Sequence, residues 1–370
     1  MIIGIDGNEA NQVQRVGVGQ FAFNIISSLS KIDHQNEYCI FLKQPPLKDM
    51  PPESTNWHYQ VFGPQKLWTK IALPLHLFFS KVKYDLIYSP SHYSPHFSPF
   101  PTMPTIHDIG YLNNPNEFNK KDYYQLVNWT KRSIQKASKI AAVSNFTKNE
   151  LIKTYSLEPQ KIFIVPNGVN QINPPSLKVI NQTLSKYQLT KSKYFISVGT
   201  LKPNKNYPFL IESFAQFHQN HPEIKLVIAG KKGWVYDSIF ETVTKFKIAN
   251  SIIFTDFIDE NTKIALVSQS IATVIPSTYE GFGIPAIESQ MLGVPVISSN
   301  IPPLKEILSD SAIFIDPTNH ADLLQAFTKV LNKDIAKKLI DQGYSNSASY
   351  SWDHAAQKLL TAITNNKTNI

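Results

Sequence analysis

The sequence predicts an α/β protein with parallel sheets, because two patterns alternate along most of the chain. Short, continuous apolar runs rich in β-branched and aromatic residues are separated by segments long enough to form helices. Continuous apolar runs are typical of strands that are covered on both faces, whereas alternating runs indicate strands with one face in water. Helices between successive strands provide that cover, so the pattern favours doubly wound sheets.

A break in this pattern divides the chain, whose 370 residues are enough for two domains. The apolar run that ends at Val165 is followed by Pro166-Asn167-Gly168, and the polar stretch 170–176 contains two adjacent prolines. We interpret this stretch as an interdomain linker. The predicted parts are an N-terminal domain over residues 1–169, a C-terminal domain over residues 177–350 and a terminal helix over residues 351–370.

Each half contains its own series of predicted strands. In the first half they are Ile2–Asp6, Tyr38–Leu42, Leu86–Ser89, Thr102–His107, Ile140–Ser144 and Ile162–Val165. In the second half they are Tyr194–Val198, Lys225–Ala229, Ile252–Thr255, Ala272–Ile275, Val294–Ser298 and Ala312–Ile315. Predicted helices include Val18–Leu29, Phe118–Lys136, Tyr207–Phe217, Asp322–Leu331 and a last one from Ser351 to Ile363. Ligands of such sheets bind beyond the carboxyl ends of the strands, so the loops that follow them are the candidate sites.

Composition excludes several classes of function. The chain has 36 Lys+Arg against 28 Asp+Glu, yet only Arg15 and Arg132 are arginines. Sequence-specific binding of nucleic acid relies on arginine, so this balance argues against that role. An excess of lysine fits contact with phosphates or with an anionic membrane surface. The single cysteine, Cys39, excludes a disulfide framework and a thiolate metal site.

The apolar segments also bear on location. None approaches the roughly 20 residues that a membrane-spanning helix needs, and the sequence begins on a predicted strand. We therefore expect a cytoplasmic protein, with peripheral binding at the inner face of the plasma membrane as an option. Residues 67–83 are apolar and aromatic with a lysine-rich end. They predict either a helix that lies on an anionic membrane or a buried helix kinked at Pro74.

The most informative motif follows the strand predicted to end at Ile275. It reads Glu280-Gly-Phe-Gly-Ile-Pro-Ala-Ile-Glu288, with its proline suited to the first turn of a helix. Backbone N–H groups at Phe282, Gly283 and Ile284 would attract a diphosphate to that helix end. Glu288 is expected to bind a ribose diol and Glu280 sugar hydroxyls. The alternative is a solvated acidic pair beside a glycine-rich turn.

This motif resembles the Glu-x7-Glu motif of retaining glycosyltransferases with the GT-B fold, family 4. Other segments resemble the same family in the same order, and they are Val165–Val169, Ser197–Asn206, Ala229–Lys231, Gly293–Ile297 and Ser351-Trp352. The resemblance implies two Rossmann-like domains that face one another across a cleft. It also implies that the terminal helix crosses back to the N-terminal domain.

The resemblance implies a donor site that consists largely of C-terminal residues. Lys205 is expected on the donor diphosphate, since a lysine supplies charge without fork geometry. Family members often carry arginine where this chain has Thr200 and Asn204, so either Lys202 compensates or phosphate binding is weaker than in the relatives. The full set of expected donor-binding residues is Gly17, Gly19, Gly199, Thr200, Lys205, Gly230, Lys231, Phe282, Gly283, Ile284 and Glu288.

Two catalytic residues are expected, Glu280 and His107. The resemblance places the histidine of a His-Asp pair against the donor sugar. Asp108 is expected to orient His107 or the local backbone. Asp108 and Arg15 are the expected acceptor-side residues. Gly17 and Gly19 also match a dinucleotide fingerprint, but the ten residues after Asp6 are too many for its tight turn. The resemblance instead places this glycine loop beside the donor phosphates and the acceptor.

The expected function is the retaining transfer of a hexose from GDP-mannose or a UDP-sugar to a glycan or lipid-linked acceptor in surface-polysaccharide synthesis. The N-terminal Ile-Asp-Gly and the Val-Gly-Thr-Leu segment resemble the mannosyltransferase-like branch of the family. No Asp-x-Asp pair or metal-spaced cluster occurs in the sequence, so we expect neither a metal nor a cofactor. The alternatives are a nucleotide-sugar epimerase of the same fold, a non-catalytic nucleotide-sugar-binding subunit and, more distantly, an NAD-dependent oxidoreductase.

Overall fold

A computed structural model describes residues 1–15, 17–112, 115 and 119–365. Phe118, the predicted first residue of a helix, and residues 366–370 of the predicted terminal segment lie outside the described residues. The chain forms two compact units. One contains Met1–Gly168 together with the segment from Tyr350 onward, and the other contains Val169–Ser349.

The strands are numbered along the chain. Those of the first unit are β1 (Ile2–Asp6), β2 (Glu37–Leu42), β3 (Trp57–Val61), β4 (Leu86–Ser89), β5 (Thr102–Ile106), β6 (Ile140–Ala142) and β7 (Ile162–Ile164). Those of the second unit are β8 (Tyr194–Val198), β9 (Lys225–Ala229), β10 (Ile252–Phe254), β11 (Thr273–Ile275), β12 (Val296–Ser299) and β13 (Ile313–Ile315).

The α-helices are numbered in the same way. The first unit contains α1 (Val18–Ile32), α2 (Leu73–Phe78), α3 (Lys120–Lys136) and α4 (Asn145–Tyr155), and its terminal helix is α13 (Trp352–Thr364). The second unit contains α5 (Leu177–Lys186), α6 (Tyr207–His218), α7 (Asp237–Phe246), α8 (Glu260–Ser268), α9 (Ile284–Met291), α10 (Pro302–Leu308), α11 (His320–Val330) and α12 (Lys333–Ser347).

Both sheets are parallel and doubly wound, so the predicted fold class is confirmed. Across the described residues, the strand order is β3-β2-β1-β4-β5-β6-β7 in the first unit and β10-β9-β8-β11-β12-β13 in the second. The order reverses between β1 and β4 in one sheet and between β8 and β11 in the other. Ligands of open α/β sheets bind at the carboxyl ends of the strands beside this reversal.

The edge strand β3 was missed by sequence reasoning. Its sequence, Trp57-His-Tyr-Gln-Val61, alternates in polarity instead of forming an apolar run, because only one side of it is covered. Trp57 is buried and packs against Tyr38 of β2 with ring centroids 4.9 Å apart, whereas the next residue, His58, points to the opposite face and is exposed. An edge strand with one face in water carries a different pattern from the central strands.

The strand predicted to extend through Ser144 ends at Ala142, and Ser144 is instead the N-cap of helix α4, which begins at Asn145. Its hydroxyl accepts a hydrogen bond from the backbone N–H of Thr147 at 3.1 Å. A serine that satisfies one of the first N–H groups of a helix is a strong N-cap. Val143-Ser144 is therefore the turn that leads from sheet to helix.

The terminal helix α13 packs against α1 in the first unit. The rings of Phe21 and Trp352 meet edge to face with centroids 5.8 Å apart. The buried Lys139 ammonium donates to the carbonyls of Ala362, Ile363 and Asn365 at 2.9, 2.8 and 2.7 Å. A cation at a helix C-terminus satisfies the carbonyls that lack intrahelical partners and interacts favourably with the helix dipole.

Residues 67–83 do not form the single kinked helix that was one of the two predictions. A π-helical turn, Trp68–Ala72, leads into the short helix α2, and Pro74 lies in the first turn of α2. A proline is tolerated there because the N–H groups in the first turn of a helix have no acceptor within that helix, so the N–H that proline lacks is not needed. Within the described part of the chain, no helix combines the length and the hydropathy needed to cross a bilayer.

Candidate active site

In the second unit, the loops after β8 and β9 approach each other at the carboxyl end of the sheet. The N–H of Gly199 donates to the carbonyl of Ala229 at 2.9 Å. A Cβ atom on Gly230 would lie 2.0 Å from the carbonyl oxygen of Gly199 and 3.2 Å from the nitrogen of Thr200. Only glycine therefore permits this contact, which places the backbone of Gly199 and Thr200 at the point where the strand order reverses.

The loop after β11 is joined to the loop after β8. The carbonyl of Asn204 accepts a hydrogen bond from the N–H of Thr278 at 2.9 Å, and the side-chain amide of Asn204 donates to the carbonyl of Tyr279 at 3.0 Å. Asn204 is therefore a structural link between two loops. These bonds bring together Lys205 and Glu280, which are 75 residues apart in the sequence.

Lys205 and Glu280 form an ion pair with 2.5 Å between Nζ and Oε1. Their side chains are only 16% and 14% exposed, and the hydroxyl of Ser277 donates to the same carboxylate oxygen at 2.8 Å. Burial raises the pKa of Glu280, but the Lys205 ammonium and the two hydrogen bonds outweigh it and lower the pKa below its ordinary value. Glu280 therefore remains a carboxylate at neutral pH.

The beginning of helix α9 supports the same site. Its N-cap residue is Gly283, which has a φ of 99° and no side chain to cap the helix, and Pro285 lies in the first turn. Phe282 is buried beside it. The first N–H groups of a helix lack intrahelical partners and carry partial positive charge, so this end of α9 suits an anion.

The second glutamate of the motif, Glu288, has a separate partner. Both of its carboxylate oxygens lie 2.9 Å from Nζ of Lys263, which also pairs with Glu260 at 2.9 Å. Burial lowers the pKa of Lys263, but the two carboxylates raise it further, so the net direction is upward. Lys263 was missed by sequence reasoning, because it lies on α8, 25 residues before Glu288, with no local motif around it.

The other expected donor residues of the second unit vary in exposure. Thr200 is half-buried beside Gly199, and Lys231 is exposed in the loop after β9. The Lys202 ammonium lies over the ring of Trp234, 5.7 Å from its centroid. The structure thus brings Gly199, Thr200, Gly230, Lys205 and Glu280 together, and Glu288 and Lys231 occupy adjoining elements.

In the first unit, His107 follows β5 and is held by two contacts with the loop after β4. Its Nε2 lies 3.2 Å from the carbonyl of Pro90, and its backbone N–H donates to Nε2 of His92 at 3.1 Å. A carbonyl only accepts, so Nε2 of His107 carries its proton and Nδ1 its lone pair. Since Nε2 of His92 accepts, that ring carries its proton on Nδ1. His92 was missed because no motif marks it.

The remaining expected residues also belong to the first unit. Asp108 accepts a hydrogen bond from the N–H of Gly110 at 2.9 Å. Arg15 donates to Asp49 through both terminal nitrogens at 2.5 and 2.9 Å, and its guanidinium lies 3.8 Å from the ring centroid of Phe23. An anionic acceptor would therefore have to displace Asp49 from Arg15.

Gly17 and Gly19 lie around the start of α1. Gly17 is the N-cap with a φ of 49°, and a Cβ on Gly19 would lie 3.1 Å from the carbonyl of Glu9. Their expected contact with the donor stays a prediction. Among the residues that the structure describes, no group of three or more His, Cys, Asp or Glu side chains is arranged to hold a metal ion.

The half-buried His92 and His107 predict a loss of stability in acid. Burial lowers the pKa of both His92 and His107 from 6.5 to about 4. The unfolded chain therefore binds protons between pH 6.5 and 4 that the folded protein does not, so stability is complete above pH 6.5 and falls as the pH drops through this window. We expect the first unit to lose about 2 kcal/mol per histidine, measured by urea unfolding at pH 7 and pH 4.5.

The matched variant for this test is His92→Gln, which keeps a side-chain acceptor for the His107 N–H. It should reduce the difference in unfolding free energy between pH 7 and pH 4.5. An equal pH dependence of the unfolding free energy in wild type and variant would contradict the proposal that His92 and His107 cause the loss of stability in acid.

Comparison with known proteins identifies the family. The family model described as "Glycosyltransferase Family 4" matches residues 16–171, and the model "Glycosyl transferases group 1" matches residues 181–346. The chain belongs to glycosyltransferase family 4. The resemblance seen in the sequence is thereby confirmed.

Two bacterial relatives of this glycosyltransferase are named as mannosyltransferases. It is 27% identical over 286 residues to the O-antigen chain mannosyltransferase B of Escherichia coli, with 75% of this chain and 74% of the relative covered. It is also 27% identical over 253 residues to the O-antigen chain mannosyltransferase RfbU of Salmonella typhimurium, with 68% and 66% covered.

Solved structures of low sequence identity share the fold of this glycosyltransferase. The Anabaena protein HepE in complex with UDP and glucose aligns with a TM-score of 0.74 at 16% identity, with 98% of this chain and 99% of that chain covered. A glycosyltransferase from Rickettsia africae aligns with a TM-score of 0.72 at 19% identity and 99% of both chains covered. These alignments confirm the predicted GT-B fold.

Proposed function

We propose that this glycosyltransferase transfers a mannosyl or related hexosyl residue, with retention of configuration, from a nucleotide-sugar donor to a glycan or lipid-linked acceptor in surface-polysaccharide synthesis. The Lys205–Glu280 pair at the reversal of the second sheet carries the proposal, because it joins an anion-binding group to a sugar-binding group at one point. The names of the two O-antigen relatives favour GDP-mannose as the donor, with a UDP-sugar as the other option.

The donor diphosphate is proposed to bind at Lys205 and at the start of α9. The ammonium supplies positive charge, and the N–H groups near Gly283 add partial charge from the helix end. The close approach of Gly230 to Gly199 leaves backbone rather than side chains at this place. We assign the ribose to Glu288, held by Lys263, and the transferred sugar to Glu280.

The reaction requires no covalent nucleophile in this scheme. The bond between the anomeric carbon and the diphosphate oxygen breaks, and the electron pair leaves with the diphosphate. The acceptor hydroxyl attacks the same face of the oxocarbenium-like sugar, and its proton passes to the departing diphosphate. Lys205 and the N–H groups of α9 stabilise the charge that develops there, in place of a divalent cation. Glu280 accepts hydrogen bonds from sugar hydroxyls and limits their motion.

His107 is proposed to contact the transferred sugar as a neutral acceptor. Its Nε2–H is directed to the carbonyl of Pro90, so its lone pair on Nδ1 remains for a sugar hydroxyl. Its lowered pKa, about 4, keeps the ring uncharged at neutral pH. We accordingly expect the pH–activity profile to contain no step near pH 6.5 that arises from ionisation of His107.

Thermal unfolding in the presence of nucleotides tests the proposal first. UDP, GDP, ADP and their common sugar conjugates are added separately without metal, and one nucleotide family should raise the unfolding temperature. A ligand that binds only the folded state at a hundredfold excess over its Kd stabilises by about 2.7 kcal/mol. Lys205→Met should abolish the shift, whereas Lys338→Met, at an exposed position on α12, should retain it.

Product analysis with the effective donor then separates the alternatives. Retaining transfer yields a glycoside with the anomeric configuration of the donor, which NMR of the product shows directly. Conversion of the donor sugar without any acceptor would instead identify an epimerase. Binding without turnover for a broad panel of acceptors would favour a non-catalytic subunit, and no shift with any nucleotide would contradict the donor site itself.

A further inference from the structure

A short segment of the first unit is apolar on two opposite sides. Trp68, Ala72, Leu73 and Leu77 are buried in one hydrophobic cluster of this unit. The opposite side carries exposed apolar side chains, and we name this set the exposed stripe: Leu67, Ile71, Leu75, Phe78, Phe79 and Val82. A helix that is apolar all round is normally buried on all sides. Here the exposed stripe is not covered by any of the described residues.

The exposed stripe is large for a protein surface. Phe78 and Phe79 are 72% and 75% exposed, and their rings meet edge to face with centroids 5.3 Å apart. An open groove of about 550 Å³ runs beside them and is lined by apolar side chains that include Phe62, Leu75 and Val82. Contiguous apolar surface of this kind, unlike scattered single residues, indicates an interaction site.

The segment that carries the exposed stripe has formal charges of one sign. Residues 54–84 contain four lysines and no aspartate or glutamate. Three of these lysines, Lys66, Lys81 and Lys83, are exposed at the two ends of the stripe. Asp85, the nearest acidic residue in sequence, accepts a hydrogen bond from the N–H of Ile2 at 2.7 Å. The surface is therefore apolar in the centre and cationic at its ends.

The neighbouring loop extends the positive charge. The N–H of His96 donates to the carbonyl of Thr69 at 2.7 Å, so this loop is attached to the start of the segment. Arg132 donates to the carbonyl of His96 at 3.2 Å. Together with burial, the positive charges of Arg132, Lys70 and Lys136 lower the pKa of His96. Phe97 is exposed beside the same arginine, and its ring centroid lies 5.9 Å from the guanidinium carbon of Arg132.

We propose that this surface binds an anionic lipid bilayer, with the exposed stripe inserted among the headgroups and the lysines on lipid phosphates. A binding surface of this type needs a projecting apolar face and cations at its border, and both are present. A protein partner that covered the stripe would need acidic groups to match the lysines, and a second copy of this chain presents the same positive charge. Binding to lipid does not depend on the proposed reaction, so the two can fail separately.

Co-sedimentation with vesicles tests the proposal on the full chain. One set of vesicles is phosphatidylcholine alone, and the other contains one third phosphatidylglycerol. Wild type should bind the anionic vesicles and not the neutral ones. The variant Phe78→Ser with Phe79→Ser should weaken binding by about tenfold or more, because two large apolar side chains no longer insert. Both positions are exposed, so the fold is expected to persist, which circular dichroism checks.

A further variant tests the role of the lysines, and control variants in the second unit test whether the position of each change matters. Lys81→Glu with Lys83→Glu should reduce anionic-vesicle binding by about tenfold or more. Lys337→Glu with Lys338→Glu makes the same change of charge at exposed positions of α12 in the second unit and should leave binding close to wild type. Leu177→Ser, at a position 76% exposed on α5, is the corresponding apolar control.

Three results would overturn the proposal. The first is failure of wild type to bind anionic vesicles at low salt. The second is equal loss of binding in the control variants, which would indicate a general effect of net charge. The third is self-association in sedimentation velocity that Phe78→Ser with Phe79→Ser abolishes, together with no binding of vesicles, since a second copy would then be the occupant.

Discussion

Lys205→Met is expected to lower kcat/KM by about two to three orders of magnitude, as the loss of a group that stabilises charge in the transition state generally does. The ammonium lies 2.5 Å from Glu280 in a position only 16% exposed, so its charge is poorly screened by water. Methionine preserves much of the side-chain length but not the charge. Steady-state kinetics with the donor found by thermal unfolding, and with its acceptor, measure the effect.

The pair also predicts a change in stability that separates its structural role from its catalytic one. In Lys205→Met, the Glu280 carboxylate stays buried with Ser277 but without its counter-ion, which is expected to cost about 3 kcal/mol. Lys205→Met with Glu280→Gln removes both charges and should recover part of that stability while activity remains low. The double variant thus distinguishes a misfolded site from an inactive one.

Two variants of exposed residues serve as controls for these measurements. Lys338→Met on α12 and Glu241→Gln on α7 make the same chemical changes at the surface. Each should leave kcat/KM within about twofold of wild type, since exposed charges contribute little. Near-normal kcat/KM in both Lys205→Met and Glu280→Gln would contradict the assignment of the active site.

Gly230→Ala is expected to abolish donor binding and to destabilise the second unit by about 3 kcal/mol or more. The new methyl group would lie 2.0 Å from the carbonyl oxygen of Gly199 and 2.6 Å from its carbonyl carbon. Backbone atoms at the end of a strand cannot move aside as a flexible side chain does. The ends of β8 and β9 must therefore separate, which displaces Thr200. Urea unfolding and the nucleotide-dependent thermal shift measure the two effects.

A matched glycine shows whether the effect is specific to this place. A Cβ on Gly63 would meet no atom closer than 3.9 Å, the nitrogen of Gln65. Gly63→Ala should therefore change the free energy of unfolding by no more than about 0.5 kcal/mol and leave nucleotide binding intact. Gly230→Ala with wild-type binding and stability would show that the two loops tolerate separation.

The strands that sequence reasoning found are those with apolar cover on both faces. β1, β4, β8 and β9 have the predicted bounds. The apolar runs of β4, β8 and β9 are interrupted at both ends by polar residues, glycine or proline, and that of β1 is ended by Asp6. β3 was missed because its polarity alternates at the edge of the sheet. The end of β6 was misplaced because Ser144 reads equally well as the last strand residue and as a helix cap, and its hydrogen bond to Thr147 decides between them.

Within the candidate site, the sequence indicated Glu280, Glu288, Lys205 and the glycines, but not their partners. A motif records residues that are close in the sequence, whereas the Lys205–Glu280 pair joins positions 75 apart. Lys263 and His92 lie on segments without any motif, and only their hydrogen bonds mark them. Arg15 was expected on the acceptor, and its bidentate pair with Asp49 became visible only in the folded chain.

By itself, the sequence determined the family, the α/β class and the loops that hold the chemistry, because periodicity and short motifs are local properties of the chain. The tertiary structure decided which lysine neutralises which glutamate, which ring nitrogen of His92 and of His107 carries the proton, and which side of residues 67–83 remains exposed. Each of these depends on burial and on distances between segments far apart in the sequence. Folding sets such distances, and the low dielectric of a buried site gives them their energetic weight.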